Sequence, residues 1–289
     1  DNYMSIAKPV GALSNYLSEL ISSKAYINVR NLAKNILPKP LENAAKSVEK
    51  YAKHIATGSN IFEELGFYYI GPIDGHDLSH LIPILDNIKE TTIDKPVLLH
   101  VITEKGKGFY SQTEDLEKYH AIGKFDPLTG LETKSNRKII KYTDVFSNAI
   151  ITQANRDKKI IAITAAMPSG TGLNKFAKIY PERFFDVGIA EQHAITFAAG
   201  LACEGFKPFA AIYSTFLQRG YDQVVHDVAL QNLPVRFAID RAGFVGNDGP
   251  THAGSYDMVF LATLPNFIIM APSDEIELIN AIKTATNID

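Results

Sequence analysis

A glutamate at the start of an apolar helix is the residue whose type and position suggest chemistry most directly. Glu191 follows the predicted short strand and glycine turn of residues 183–188 and precedes an apolar helical run. A first-turn glutamate can simply favour the helix dipole. A partly buried glutamate can instead hydrogen-bond a ring nitrogen of a cofactor and shift its tautomer. The segment alone leaves both interpretations open. His193, on a different helix face, is interpreted as a packing or supporting residue.

Aromatic and basic residues follow the predicted strand at 208–213. The flat ring of Phe216 is suited to stacking on a heterocycle, although an aromatic residue here can equally belong to the core. Tyr213 and Arg219 are candidates to face a substrate, and Arg219 is alternatively an ordinary charge on a helix surface. This segment therefore offers a second group of candidate site residues.

Further candidates follow the predicted strand at 234–240. Arg241 lies just past it, where a guanidinium can bind a phosphate monoester through paired hydrogen bonds. Asp248 and His252 belong to the glycine-rich loop 246–254. Such loops beside strand ends often line sites, although this loop taken alone is also typical of a surface turn.

Composition limits the classes of protein to consider. Of the 289 residues, 46% are hydrophobic and 21% are charged, and the formal net charge is −3. These values are typical of a soluble protein of about two domains without a nucleic-acid partner. No apolar run reaches the roughly 20 residues that span a bilayer, so we expect no membrane association. The single cysteine, Cys203, excludes an intrachain disulfide and is interpreted as a small core residue.

The first half of the sequence contains helical and extended patterns. It predicts helices within 8–57, a short capped helix at 60–65, a strand at 67–71, a helix at 77–90 and a strand at 95–103. The last of these is a continuous apolar run, which is typical of a strand buried in a parallel sheet. Residues 106–138 are interpreted as a loop, and we place a domain boundary at about residue 140.

The second half alternates regularly between helices and strands. It predicts helices at 142–155, near 173–180, at 190–203, at 216–231 and from Ser273, and strands at 159–164, 184–187, 208–213, 234–240 and 267–271. The whole pattern predicts an α/β fold with two doubly wound, mostly parallel sheets and helices on both faces. In such folds the strand ends, and hence the site, lie along one edge.

Several motifs occur in an order that is informative as a set. They are Asp1-Asn2-Tyr3-Met4, Phe62-Glu-Glu-Leu-Gly66, Tyr69-Ile-Gly-Pro-Ile-Asp-Gly75-His76, Lys105-Gly-Lys107-Gly, Glu191-Gln-His, Tyr213-Ser-Thr-Phe216-Leu-Gln-Arg219 and Asp240-Arg241-Ala-Gly243. Together they resemble the transketolase-like thiamine-diphosphate enzymes, and most of all the 1-deoxy-D-xylulose-5-phosphate synthase family. The resemblance implies that residues 1–139 hold part of a diphosphate-binding domain with a linker, and residues 140–289 a pyrimidine-binding domain.

The resemblance implies how thiamine diphosphate would be held. Glu191 would bind the aminopyrimidine ring nitrogen, and Phe216 would stack on that ring. Asn2 and Met4 would coordinate Mg²⁺ through a side-chain oxygen and a backbone carbonyl. Phe109 stands where the family usually has a cofactor-contacting Tyr, so that hydroxyl is lost or shifted to the next position.

The resemblance also implies catalytic and substrate-binding roles. His120 would lie near the thiazolium and shuttle a proton or stabilise an oxyanion. Asp248 and His252 would help bind the acceptor aldehyde or the reacting carbonyl. The remaining candidates would face the substrate, and these are Tyr213, Arg219 and Arg241.

The reaction implied is the condensation of pyruvate with D-glyceraldehyde 3-phosphate, with loss of CO₂, to give 1-deoxy-D-xylulose 5-phosphate for isoprenoid synthesis. The implied assembly is a homodimer, in a bacterial cytosol or a plastid. Transketolase-type ketol transfer and an inactive folded fragment are the alternatives. The sequence lacks the Gly-Asp-Gly segment that precedes Asn2 in the family and the family's C-terminal domain. We therefore expect weak or absent cofactor binding by the isolated chain.

Overall fold

The computed structural model describes residues 61–104, 107–108, 123–126, 128–129, 131 and 140–288. The chain divides into two compact units, Asp1–Glu132 and Thr133–Asp289, which are described separately. The helices predicted within residues 8–57 and most of the predicted loop at 106–138 lie outside the described residues.

The described part of the first unit is a two-stranded parallel sheet with two helices. Its elements are α1 (Ile61–Glu64), β1 (Tyr68–Asp74), α2 (Leu78–Glu90) and β2 (Val97–Ile102). The predicted helix at 77–90 is confirmed, and Asp77 caps it by accepting a hydrogen bond from the backbone N–H of His80. The apolar run at 95–103 does form a parallel strand, which pairs with β1 among the described residues. The predicted burial is wrong, because five residues of β2 are half-buried and Ile102 is exposed.

The second unit alternates helices and strands through its whole length. In chain order its main elements are α3 (Tyr142–Arg156), β3 (Ile160–Thr164), α4 (Leu173–Ile179), β4 (Phe184–Asp186), α5 (Glu191–Cys203), β5 (Lys207–Tyr213), α6 (Ser214–Leu217), α7 (Tyr221–Gln223), β6 (Arg236–Asp240), α8 (Asp257–Ala262) and α9 (Glu275–Asn287).

The four strands of this unit form one parallel sheet in the order β4-β3-β5-β6. Alternate residues of β3 enter different cores, as the two-residue period of a strand requires. Ile161 and Ile163 pack under α5 and α8, and Ile160 and Ala162 pack with α3, α4 and α9. Helices thus cover both faces of the sheet, and the predicted α/β fold with a parallel sheet is confirmed.

Two predicted elements of the second unit are wrong in detail. The helix predicted at 216–231 is broken into α6, a 3₁₀ turn (Gln218–Gly220), α7 and a π-helical segment (Val224–Ala229). Residues 267–271 form no strand. Their apolar character is explained by packing, since Phe267 stacks on Phe237 of β6 with ring centroids 5.8 Å apart.

Cys203 and the start of the last helix also differ from the predictions. Cys203 is exposed, because it lies on the solvent-facing stripe of α5 that contains Thr196 and Gly200. The last helix is capped by Asp274 rather than Ser273, and the Asp274 side chain accepts a hydrogen bond from the backbone N–H of Glu277. Among the described helices, none combines the length and the apolar character that crossing a membrane requires.

Candidate functional site

Glu191 is the first residue of α5, and a short turn connects it to the end of β4. Asp186 Oδ1 accepts hydrogen bonds from the backbone N–H groups of Ala166 (2.8 Å) and Gly188 (3.0 Å). Gly188 adopts φ +73°, a conformation that glycine takes without strain. The turn therefore sets where the chain enters α5, and with it the position of the Glu191 side chain.

The Glu191 carboxylate is buried and incompletely bonded. The residue is 3% exposed, and its Oε2 atom is buried without a hydrogen-bond partner. Burying a carboxylate oxygen with no hydrogen bond is costly, and native structures rarely leave such an atom unsatisfied. An N–H donor of a bound ring would satisfy it, so the residue present here fits the pyrimidine end of thiamine diphosphate.

One basic side chain of the described residues lies near this carboxylate. Arg219 Nη1 is 3.8 Å from Glu191 Oε2, and the Arg219 side chain is 57% exposed. The distance is too long for a hydrogen bond and short enough for charge attraction.

Tyr213 and Phe216 form an aromatic stack beside the end of β5. Their ring centroids are 5.3 Å apart and the ring planes differ by 8°. Tyr213 is buried, and burial raises the pKa of its hydroxyl to about 12. Phe216 is partly exposed, and the His252 ring meets it edge-on at 5.3 Å. Phe216 is therefore accessible enough to stack on a bound ring, whereas the buried Tyr213 ring packs against Phe216.

Arg241 is held by two carboxylates and a carbonyl. It donates hydrogen bonds to Asp240 Oδ1 (2.8 Å), Asp248 Oδ2 (3.0 Å) and the carbonyl of Gly170 (2.9 Å). Its guanidinium carbon lies 4.3 Å from the centre of the Tyr213 ring. The guanidinium predicted to bind a phosphate monoester is thus engaged in ion pairs within the chain, and its substrate-binding role stays a prediction.

The glycine-rich loop returns to the end of β5 at Gly254. A Cβ at this position would lie 2.4 Å from the Arg241 carbonyl oxygen and 2.6 Å from Ser214 Oγ. Gly254 also exchanges backbone hydrogen bonds of 2.8 Å with Gly243. This close approach places His252 against the aromatic stack and brings Asp248 to Arg241.

The structure therefore groups the predicted residues of the second unit in two places. Glu191 lies near Arg219, and the other group consists of Tyr213, Phe216, Arg241, Asp248 and His252. His193 is exposed and stacks on Phe197 with ring centroids 5.9 Å apart. Four predicted site residues lie outside the described residues: Asn2 and Met4, which are the predicted Mg²⁺ ligands, Phe109 and His120. No cluster of three or more His, Cys, Asp or Glu suited to a metal occurs in the described parts.

Sequence reasoning missed one residue of this region. Ser214 is 1% exposed, and its Oγ is buried without a hydrogen-bond partner. It lies inside the quoted motif, but its neighbours in sequence do not reveal that Gly254 closes over it.

Two family models match the sequence. The model described as the pyrimidine-binding domain of transketolase matches residues 138–289. The model described as 1-deoxy-D-xylulose-5-phosphate synthase matches residues 1–103. The chain therefore belongs to the transketolase-like family. Its N-terminal part matches the synthase branch of that family in particular.

Solved structures of transketolases are similar over part of their length. A split-gene transketolase, described as an inactive β4 tetramer, is 30% identical over 52% of this chain and 49% of its own, with a TM-score of 0.47. Transketolase from Leishmania mexicana is 17% identical over 81% and 47%, also with a TM-score of 0.47. A transketolase mutant from Pichia stipitis in complex with fructose 6-phosphate is 15% identical over 81% and 47%, with a TM-score of 0.46. The chain spans about half the length of these structures.

Proposed function

We propose that the chain binds the pyrimidine ring of thiamine diphosphate through Glu191 and Phe216, and that it takes part in joining pyruvate to D-glyceraldehyde 3-phosphate to give 1-deoxy-D-xylulose 5-phosphate and CO₂. The buried, unpartnered Oε2 of Glu191 is the observation that carries the proposal. The two matching family models support the same class of enzyme.

Each residue contributes a physical function to this proposal. Glu191 would accept a hydrogen bond from the protonated ring nitrogen and would favour the tautomer whose exocyclic nitrogen is an imine able to accept a proton. Phe216 is partly exposed and would stack on the ring, and its own stack with Tyr213 holds it in place. When bound, the cofactor supplies a carbanion at its thiazolium carbon, which is the chemistry that side chains lack.

Two polar side chains, His252 and Asp248, lie beside the aromatic stack and beside Arg241. His252 lies at the edge of the Phe216 ring, and its Nδ1 is 3.0 Å from Thr251 Oγ1. Asp248 is partly exposed while it pairs with Arg241. We propose that these two side chains orient the carbonyl groups of the substrates. Mg²⁺ bound through Asn2 and Met4 and a general acid–base role of His120 belong to the same proposal.

The sequence-based expectation for the isolated chain is weak or absent binding, and the proposed function requires that binding be weak and still measurable. Saturation-transfer NMR tests this step, because it detects weak affinity. Thiamine diphosphate and Mg²⁺ are added in excess, and we expect the strongest transfer to the methyl group on the pyrimidine ring. Glu191→Gln should weaken binding about tenfold, because a charge-assisted hydrogen bond is replaced by a neutral one. Glu204→Gln is the matched control, since Glu204 follows the other end of α5 and is exposed. Equal binding by the Glu191 variant and the control would reject the proposal.

The donor substrate separates the synthase reaction from ketol transfer. Labelled pyruvate and glyceraldehyde 3-phosphate should give labelled 1-deoxy-D-xylulose 5-phosphate, detected by mass spectrometry. Product from a ketose phosphate donor and none from pyruvate would assign the transketolase reaction instead. A protein that binds the cofactor through Glu191 and forms no carbon–carbon bond with either donor would retain the binding function alone.

A further inference from the structure

The pairing of Glu191 with Arg219 has an unusual geometry. The oxygen nearest the guanidinium is Oε2, the same atom that has no hydrogen-bond partner. At 3.8 Å, Arg219 balances the negative charge without occupying the lone pairs of that oxygen. The carboxylate is therefore electrostatically compensated and still free to accept a hydrogen bond.

The turn that follows α6 brings Arg219 to this position. The 3₁₀ turn Gln218–Gly220 rests on the first turn of α5, and Gly220 is buried there. A Cβ at Gly220 would lie 3.4 Å from Ile195 Cγ1 and 3.5 Å from the Glu191 carbonyl oxygen. Arg219 therefore lies in a turn that packs on the start of α5.

We propose that Arg219 is a positioning residue that directs the free oxygen of Glu191 toward an incoming aminopyrimidine ring. This inference rests on the proposed function of Glu191. It differs from the sequence-based expectation that Arg219 contacts the substrate. The charge of Arg219 acts through Glu191, so its effect on ring binding depends on the presence of the carboxylate.

A double-mutant cycle on cofactor binding tests whether the effect of Arg219 depends on the Glu191 carboxylate. Affinity for thiamine diphosphate with Mg²⁺ is measured by NMR titration for Arg219→Gln, Glu191→Gln and the double variant. Arg219→Gln should weaken binding about fivefold, as expected for an ion pair with one exposed partner. Arg219→Lys should restore most of the affinity, because lysine keeps the charge. Arg219→Gln should have no further effect once Glu191 is Gln.

Urea unfolding of the same four proteins without ligand gives a second, independent measurement. The stability change of Arg219→Gln should shrink when Glu191 is already Gln, because the buried charge has then been removed. Wild-type affinity in Arg219→Gln, or an equal loss in both backgrounds, would overturn the inference. A change confined to the KM of the phosphate substrate would assign Arg219 to substrate binding instead.

Failure of the proposed function gives a different pattern. In that case the wild-type chain binds no thiamine diphosphate, or Glu191→Gln binds it as well as the wild type does. The unfolding cycle still reports whether Arg219 and Glu191 are coupled, so the two failures are distinguishable.

Discussion

Two buried serines of the second unit differ in hydrogen bonding, so replacing each of them by alanine should change stability differently. Ser214 Oγ has no hydrogen-bond partner, whereas Ser147 Oγ donates to the carbonyl of Gly172 at 2.7 Å. Ser214→Ala should leave the free energy of unfolding within about 0.5 kcal/mol of the wild type or raise it, because it removes an unsatisfied hydroxyl. Ser147→Ala should lower it by about 1 kcal/mol.

Urea unfolding monitored by circular dichroism measures both serine variants under the same conditions. Each change removes one oxygen from a fully buried side chain, so the difference between them isolates the hydrogen bond. Equal losses of stability would mean that the Ser214 hydroxyl is satisfied in solution, for example by a buried water.

The site residues show which properties a sequence can predict. The segment around Glu191 leaves its burial open, because a first-turn glutamate can also be exposed and favour the helix dipole. The ion pairs of Arg241 are not predictable either, because Asp248 reaches it only through the loop that returns to β5 at Gly254. A sequence predicts that a guanidinium follows β6, whereas its partners come from Asp240, from a loop and from the carbonyl of Gly170.

At the scale of elements, two glycines predict opposite effects of adding a methyl group. Gly254 has the Arg241 carbonyl and Ser214 within 2.6 Å of a hypothetical Cβ, whereas Gly200 in α5 has no atom within 4 Å. Gly254→Ala should destabilise the second unit by roughly 2 kcal/mol, since overpacking costs about 1–3 kcal/mol. Gly200→Ala should stabilise it by about 0.5–1 kcal/mol, because alanine favours a helix.

Thermal unfolding and the near-ultraviolet spectrum of the tyrosines measure these glycine variants. Gly254→Ala should also displace the loop and change the environment of Tyr213, which touches Arg241 and His252. A Gly254 variant as stable as the wild type would contradict the close approach seen in the structure.

The elements themselves were predictable where periodicity and burial agree. The helix patterns at 142–155 and 190–203 match α3 and α5 within about one residue, and β3, β5 and β6 lie within the predicted strands or extend them by one residue. The strand predicted at 267–271 does not form. An apolar run predicts packing against the core, but it does not show whether a neighbouring strand is present to form hydrogen bonds with it. Periodicity also failed at 216–231, where α6, a 3₁₀ turn, α7 and a π-helical segment replace the single predicted helix.

At the scale of the whole second unit, basic side chains connect the sheet to the ends of helices. Lys207 Nζ donates to the Thr286 carbonyl at 2.8 Å and lies 3.1 Å from Asp157 Oδ2. Arg236 donates to the carbonyls of Ala285 (2.9 Å) and Ile288 (2.6 Å). These bonds satisfy the last carbonyls of α9, which otherwise have no partner within the helix. They fasten the C-terminal end of α9 to β5 and β6, and the C-terminal end of α3 to β5.

Because of these contacts, we expect the stability of the folded chain to fall at acid pH as the Asp157 carboxylate is protonated. The backbone N–H of Lys159, together with the Lys207 side chain, holds the pKa of Asp157 below its usual value. The unfolded chain titrates near the ordinary value of about 3.9. The charged carboxylate therefore stabilises the folded state at neutral pH, and this contribution is lost as the pH falls below about 4 and passes through the folded pKa.

Asp157→Asn tests this dependence, since it keeps a side-chain oxygen to accept the Lys159 hydrogen bond and removes the titration. We expect the variant to be less stable than the wild type by about 1 kcal/mol at pH 7 and to approach it at pH 3. Urea midpoints at both values of pH provide the comparison. A stability difference of the same size at pH 3 and pH 7 would show that the loss does not come from the charge of Asp157, and that this charge does not hold the end of α3 to Lys207 of β5.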